Sequence, residues 1–483
     1  METNVQSNIV IAGASHLTKK PQDTPLNVIE LMCEATQKAA EDAGNDAILS
    51  VVDQIIIPQG TWTISNPGGL IAQHLGIQAK SIIYNIGILQ SSLIKRAIED
   101  VSASKSRCTL IVGGEAKNYE RHASESLNPI PTLSDNRKQE SAEFIHPSEL
   151  PISRYEIDMG LIGAPDQYAL IENSYAHAHK LTREDHQELI NSEWQEMARI
   201  ADSIPSSWIR DAHDHLTENG WGRAIATPYK LHHVTQWNVN QASAILITTE
   251  DIAETYSNGS DGFIFPHVLI ESNAVTPVTE RSQLHHCSGL DQIKTEYVRL
   301  TGKQPSESQL HELYSCFPIA VRLQREAFEL GKRPGTITGG MTFAGGPYNN
   351  FMLQGLSQLT KQFRESQTTG VITSVSGMLT KQGLISLSSQ QPPSGIYLSD
   401  ISDKTRSGTN TMQIEPEMCG NAKVVSSTVS YSAGAPKVYV LAENPDTQRR
   451  LLVSDSNTVI EEFLKSHKIG DTIHISQEGS INL

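Results

Sequence analysis

An α/β architecture follows from three features of the sequence. Short apolar runs alternate with helically spaced segments from Asn8 to about Ala116. The same alternation returns between about residues 261 and 393. The last stretch, from residue 394 to 483, changes to short β-rich segments punctuated by Gly, Asp, Asn and Ser. Strands that alternate with helices argue for a mostly parallel sheet, and closely spaced short strands argue for a small β unit.

Asn8–Ala14 (Asn-Ile-Val-Ile-Ala-Gly-Ala) has the apolar run of a buried strand. A helix follows from about Pro25 to Ala43, with Val28, Leu31, Met32, Ala35 and Ala39 at helical spacing and Gly44 as its stop. Val51–Ile57 reads as a strand and Asn66–Leu75 as a short helix with proline near its start. Ser81–Tyr84 is a strand, Ser91–Ser102 a helix, and Thr109–Val112 a strand that ends at Gly113-Gly114-Glu115. From about 116 to 235 the alternation breaks into a polar segment with helices expected at Gln167–His179, Arg183–Ala201 and Ser206–His215. The second α/β stretch carries helices at about Ala320–Leu330 and Asn350–Arg364. Past Pro393, strands are expected at Lys423–Ser430, Lys437–Ala442, Arg449–Val453 and Thr472–Ile475, with one helix at Thr458–Ser466.

Composition removes several function classes. No apolar run approaches the ~20 residues of a membrane helix, and no basic-then-apolar leader precedes Asn8. The five cysteines (Cys33, Cys108, Cys287, Cys316 and Cys419) form no Cys-x-x-Cys pair, so neither a disulfide framework nor a zinc site is expected. A reducing cytoplasm fits. A net charge of −16 without a basic stripe argues against nucleic acid and anionic membranes as partners. His285-His286-Cys287, His232-His233 and the His177/His179 pair lack four convergent ligands, so no metal is expected.

The most distinctive stretch is Gly339-Gly340-Met341-Thr342-Phe343-Ala344-Gly345-Gly346-Pro347-Tyr348-Asn349-Asn350. Its glycines permit positive φ and close backbone approach. It feeds a helix N-terminus, where exposed N–H groups can hold an anion or a developing oxyanion. Asn349 and Asn350 are expected to cap that helix, and one of them can instead face a ligand. Upstream lies Leu313-Tyr314-Ser315-Cys316-Phe317-Pro318, and downstream Thr373-Ser374-Val375-Ser376-Gly377-Met378-Leu379-Thr380-Lys381.

In order and spacing these three stretches resemble the C-terminal half of the thiolase superfamily. The Ser-Cys-Phe-Pro and Gly-Gly-Pro-x-Asn-Asn wording is similar to the branch near the sterol-carrier-protein-type thiolases. The resemblance implies a five-layer αβαβα thiolase fold, with one half at 1–260 and another at 261–393. It implies a loop domain at about 116–235 and an OB-like β-barrel at 394–483. The activity it implies is that of an acetyl-CoA acetyltransferase-like acyltransferase, with an acyl-CoA or acyl-carrier thioester as ligand and no separate cofactor. It also implies a homodimer, paired through the edge strand after the nucleophile helix, here about Thr109–Val112, and a C-terminal domain that can dock a protein partner.

The family's catalytic residues do not carry over. Its nucleophilic cysteine falls on Gly87 or Ile88, its Gly-His-Pro histidine on Gly346, its second cysteine near Ser374, and its water-holding asparagine on Tyr314. Histidines common in this branch are replaced at Gln354 and Gln382. Cys316 is the one cysteine inside a matching stretch, and without a neighbouring base it reads as a packed thiol. Backbone groups near Ile88 and Gly377 remain as an oxyanion pair, and Lys381 is a candidate for an anionic headgroup. The pocket is therefore expected between the loop domain and Gly87, Gly345, Gly346 and Gly377, with Asn349 beside it, and with space left by the missing side chains. On this reading the chain binds a thioester without ordinary thiolysis. The alternative is a catalytically inactive scaffold of the same fold.

Overall fold

A computed structural model of the protein describes residues 2–6, 8–122, 142–256, 262–366, 368–431, 436–455 and 468–482. The first half comprises β1 (Glu2–Val5), β2 (Ile9–Thr18), α1 (Val28–Asp42), β3 (Val52–Pro58), α2 (Pro67–Leu75), β4 (Lys80–Tyr84), α3 (Ser91–Ser102), β5 (Cys108–Ala116) and α4 (Lys117–His122). The loop domain follows with β6 (Glu143–Ile145), α5 (Arg154–Asp158), α6 (Ala164–Ala178), α7 (Arg183–Asp202), α8 (Ala212–Asn219), β7 (Ala224–Ala226) and β8 (Tyr229–Lys230). The chain returns to the first sheet as β9 (Asn240–Thr249), followed by α9 (Glu250–Tyr256). The second half holds β10 (Phe265–Ser272), α10 (Ser288–Thr301), β11 (Leu310–Glu312), α11 (Pro318–Ala327), α12 (Gly340–Phe343), α13 (Phe351–Glu365), β12 (Thr369–Ser376) and β13 (Lys381–Ser388). Then come β14 (Ile396–Asp400), α14 (Ser402–Gly408), β15 (Gly420–Ser430), β16 (Lys437–Glu443), β17 (Arg450–Asp455), β18 (Thr472–Ile475) and β19 (Ile481–Asn482).

The two halves form sheets of order β2-β9-β5-β3-β4-β6 and β1-β14-β10-β13-β12-β11. The two-residue period of each strand assigns its side chains to layers. In β2, Val10 and Ala12 pack outward against α1, whereas Ile9 and Ile11 face the molecular centre. In β10, Leu269 faces the centre and Val268 and Ile270 the far side. The centre is filled by Leu93, Ile94, Ala97 and Ile98 of α3 and by Met352, Leu353, Leu356 and Leu359 of α13. The layers are thus helices, sheet, paired central helices, sheet and helices. Local signals set the helix starts: Asn27 and Glu30 form a capping box at α1, and Pro67 occupies the first turn of α2.

Three features depart from the sequence reading. Thr109–Val112 is not an edge, because β5 lies between β3 and β9, and the edge beyond β4 is covered by β6 of the same chain. The second half does not stop at residue 393, since β14 pairs parallel with β10 and antiparallel with β1. The helix expected at Ser206–His215 begins later, at Ala212. There Asp211 adopts a left-handed φ of 50°, and the Asp202 carboxylate accepts the Ala212 and His213 N–H groups. At the C-terminal end, where an OB-like barrel is expected, the described strands form an antiparallel sheet of order β17-β16-β15-β18-β19, with β7 and β8 joined to it through β15. The helix expected at Thr458–Ser466 lies outside the described residues.

That C-terminal sheet has two apolar faces. Val438, Val440, Ala442, Leu451 and Val453 make its own core, whereas Tyr439, Leu441 and Leu452 join the core of the loop domain and second half. It is held to α6 where Ser426 Oγ donates to the Leu170 carbonyl at 2.6 Å and Asn173 Nδ2 to the Ser427 carbonyl at 2.8 Å. Among the described residues, no helix is long and apolar enough to cross a membrane.

Candidate functional site

The glycine-rich bend is built from behind by a buried carboxylate. Glu312 accepts the N–H groups of Ile337 at 2.8 Å and Thr338 at 2.9 Å and the hydroxyls of Thr336 and Thr338 at 3.0 Å. Burial pushes its carboxyl up to about 7. The chain then turns through Gly339 and Gly340 at φ 90° and 77°. A Cβ on Gly339 would stand 2.5 Å from the Ala201 nitrogen, so helix α7 of the loop domain rests directly on this backbone.

Beyond the bend lies a cavity of about 390 Å³, mostly apolar, between the loop domain and both halves. It brings together Gly87, Tyr314, Cys316, Asn349 and Gly377 from the sequence-derived set. Trp237 and Tyr348 also line it, with ring centroids 6.5 Å apart and exposures of 47% and 40%. Tyr168, stacked on Phe317 at 4.3 Å, lines it as well. Sequence reasoning missed Trp237, Tyr348 and Tyr168. The available signal was a tryptophan within a polar segment, which apolar periodicity does not detect.

Cys316 Sγ lies 3.3 Å from the Tyr168 hydroxyl, and burial pushes its thiol up to about 12. Burial also raises the phenols of Tyr168 and Tyr314. Among the described residues lining the cavity there is no His, Asp, Glu, Lys or Arg.

The other sequence-derived residues are placed elsewhere. Ile88 packs its side chain toward the central core, and its N–H donates to the Asn85 carbonyl at 3.3 Å, so the expected oxyanion pair is not preformed. Ser374 is buried behind the cavity against Ser91 Oγ at 2.8 Å, which in turn donates to Glu271 at 2.6 Å. The glycines have a different cause from the one expected. A Cβ on Gly345 would stand 2.3 Å from Gln241 Oε1, and one on Gly346 would stand 2.4 Å from Thr235 Cγ2. Both therefore make room for neighbouring protein atoms. Changing Gly346 to Val would disturb packing before it disturbed any ligand. Asn350 is the N-cap residue of α13 but makes no side-chain cap; its Nδ2 donates to the Gly113 carbonyl at 3.0 Å.

The remaining two glycines meet a strap of the loop domain, residues 146–151. A Cβ on Gly87 (φ 97°) would lie 3.5 Å from Pro147, and one on Gly377 (φ 61°) would lie 2.4 Å from Pro151 Cβ. Lys381 ties the strap down. Its buried ammonium donates to the Gly87 carbonyl at 3.0 Å and the Glu149 carbonyl at 3.3 Å, which makes it a structural lysine rather than one free for a headgroup. Gly377, Met378 and Leu379 are successive left-handed residues at φ 61°, 52° and 62°. The Leu379 carbonyl is clamped by Cys287 Sγ at 3.4 Å and by Gln382 Nε2. His286 pairs with Asp291 at 2.8 Å, and no cluster of three or more potential metal ligands occurs among the described residues.

Comparison with solved structures places this architecture. A monomeric SCP2-thiolase-like protein type 1 from Mycobacterium smegmatis superimposes with a TM-score of 0.79 at 20% identity, covering 98% of both chains. The chain has the thiolase fold. Acetyl-CoA acetyltransferase from Syntrophomonas wolfei and human mitochondrial 3-ketoacyl-CoA thiolase in complex with CoA each give a TM-score of 0.53 at 13% identity. Each is covered in full by 80% of this chain. Comparisons with protein-family models and with curated proteins find no match.

Proposed function

We propose that this thiolase-fold protein binds an acyl thioester, carried by coenzyme A or an acyl carrier, beneath the 146–151 strap and does not perform ordinary thiolysis. One observation carries the reading: the described residues lining the cavity offer an acyl group apolar walls but no group suited to nucleophilic or proton-transfer work at neutral pH. Thiolysis needs a thiolate and a proton shuttle. The positions that supply them in thiolases correspond here to Gly87 or Ile88, Gly346 and Ser374. Ile86, Trp237, Phe317 and Met341 would pack the acyl chain, and Asn349 and Ser376 are among the polar groups available to the carbonyl. A reducing, cytoplasmic setting suits the free cysteines. The scaffold reading is favoured if no thioester binds, with the C-terminal sheet as the docking unit.

The test is calorimetry with acetyl-CoA and acetoacetyl-CoA, together with intact-mass measurement of the incubated protein. Binding without an added acyl mass is expected. Absence of binding would leave the scaffold reading, and an acyl adduct would mean that a nucleophile operates after all.

A further inference from the structure

A second cavity, of about 250 Å³, lies across the Gly377–Thr380 turn from the thioester cavity, between the second half and the segment leading to the C-terminal sheet. Leu379 and Thr380 line it, together with Arg281, Ser288, Gly289, Gln382, Thr405 and Thr409. Arg281 is only 9% exposed. Its Nε donates to the Thr276 carbonyl at 3.0 Å, but Nη2 has no partner, and no carboxylate forms an ion pair with it among the described residues. Two more buried atoms on the same cavity are also unpartnered, Gln382 Oε1 and Thr405 Oγ1. The 14-residue helix α10 begins here at its N-cap residue Cys287, whose thiol faces the N–H groups of Gly289 and Leu290.

Water can satisfy a hydroxyl or an amide, but it does not neutralise a guanidinium. The Glu156 carboxylate acts on Arg281 from outside ion-pair contact, so a buried guanidinium with a free Nη2 beside the positive end of a helix suits a bound anion. Of the hydroxyls around it, Thr405 keeps a free donor, because Thr409 donates to the Thr405 carbonyl and Ser288 to Thr409; a guanidinium with a free hydroxyl beside it suits the oxygens of a phosphate. We infer that the Arg281 cavity is a binding site for a phosphate group, either free phosphate or the end of a phosphomonoester. Nothing in this site depends on the thioester cavity.

The test uses the full chain with inorganic phosphate, methyl phosphate and acetate, followed by calorimetry and thermal unfolding at constant ionic strength. Phosphate or methyl phosphate should bind and raise Tm. Arg281→Gln should weaken that binding at least tenfold. Tighter binding of methyl phosphate than of phosphate would assign the site to an ester, and the reverse to the free ion. Thr405→Val removes a hydroxyl that has no protein partner, so it should fold normally and still weaken binding severalfold. Without ligand, Arg281→Gln should keep a Tm close to the parental one, because loss of the Nε bond to the Thr276 carbonyl is offset by removal of a buried charge that lacks ion-pair contact. If neither phosphate compound binds, if Arg281→Gln and Thr405→Val bind as the parent does, or if only acetate binds, the inference is wrong.

Discussion

Replacing Gly377 by Ala tests whether the strap fills the space that this glycine leaves open. Two costs add. A non-glycine residue at φ 61° costs about 1–2 kcal/mol. The new methyl would also sit 2.4 Å from Pro151 Cβ and 2.7 Å from Thr380 Cγ2, an overpacking that costs about 1–3 kcal/mol. The expected loss is therefore about 2–5 kcal/mol. Pro151→Gly removes one of the two colliding groups, so the double variant should recover about 1–2 kcal/mol relative to the sum of the single changes. The assay is urea unfolding of the parent, both single variants and the double variant, read as midpoint shifts at unchanged m. Additivity within about 0.5 kcal/mol would refute the reasoning, since Pro151 would then not be what Gly377 accommodates.

The other expectations are independent of that cycle. Iodoacetamide at neutral pH should rapidly modify exposed Cys419 and spare Cys316, whose thiol burial pushes up to about 12; equal labelling of the two by mass spectrometry would contradict this. The Glu312 carboxyl, pushed from 4.5 up to about 7, favours the folded state below pH 4.5 and loses that advantage as pH rises through 7. The difference is on the order of 3 kcal/mol. Glu312→Gln should therefore flatten stability between pH 5 and 8, and parallel curves for parent and variant would count against it. The chain should be a monomer by light scattering at micromolar concentration, because β6 occupies the free edge of β4 and Lys80 pairs with Glu143 across it. A stable dimer would show that pairing uses another surface.

What the sequence determined on its own was local. The α3 boundaries agree at Ser91 and Ser102, and the apolar run at Asn8–Ala14 falls on the buried strand β2. Capping residues, prolines and apolar spacing act within a few positions along the chain, so their signal is legible there. The ordered stretches around Cys316, Gly345-Gly346 and Gly377 also pointed to the fold, and Gly87, Tyr314, Cys316, Asn349 and Gly377 do meet at one cavity. Tertiary structure alone decided which strands are edges, because strand order depends on pairings far apart in sequence, such as Val112 with Ala244. It likewise decided why the glycines are there: Gly345 answers to Gln241, Gly346 to Thr235 and Gly377 to Pro151. A glycine reports that something approaches its backbone, but only the assembled molecule shows whether the approaching atom belongs to the protein or leaves space for a ligand.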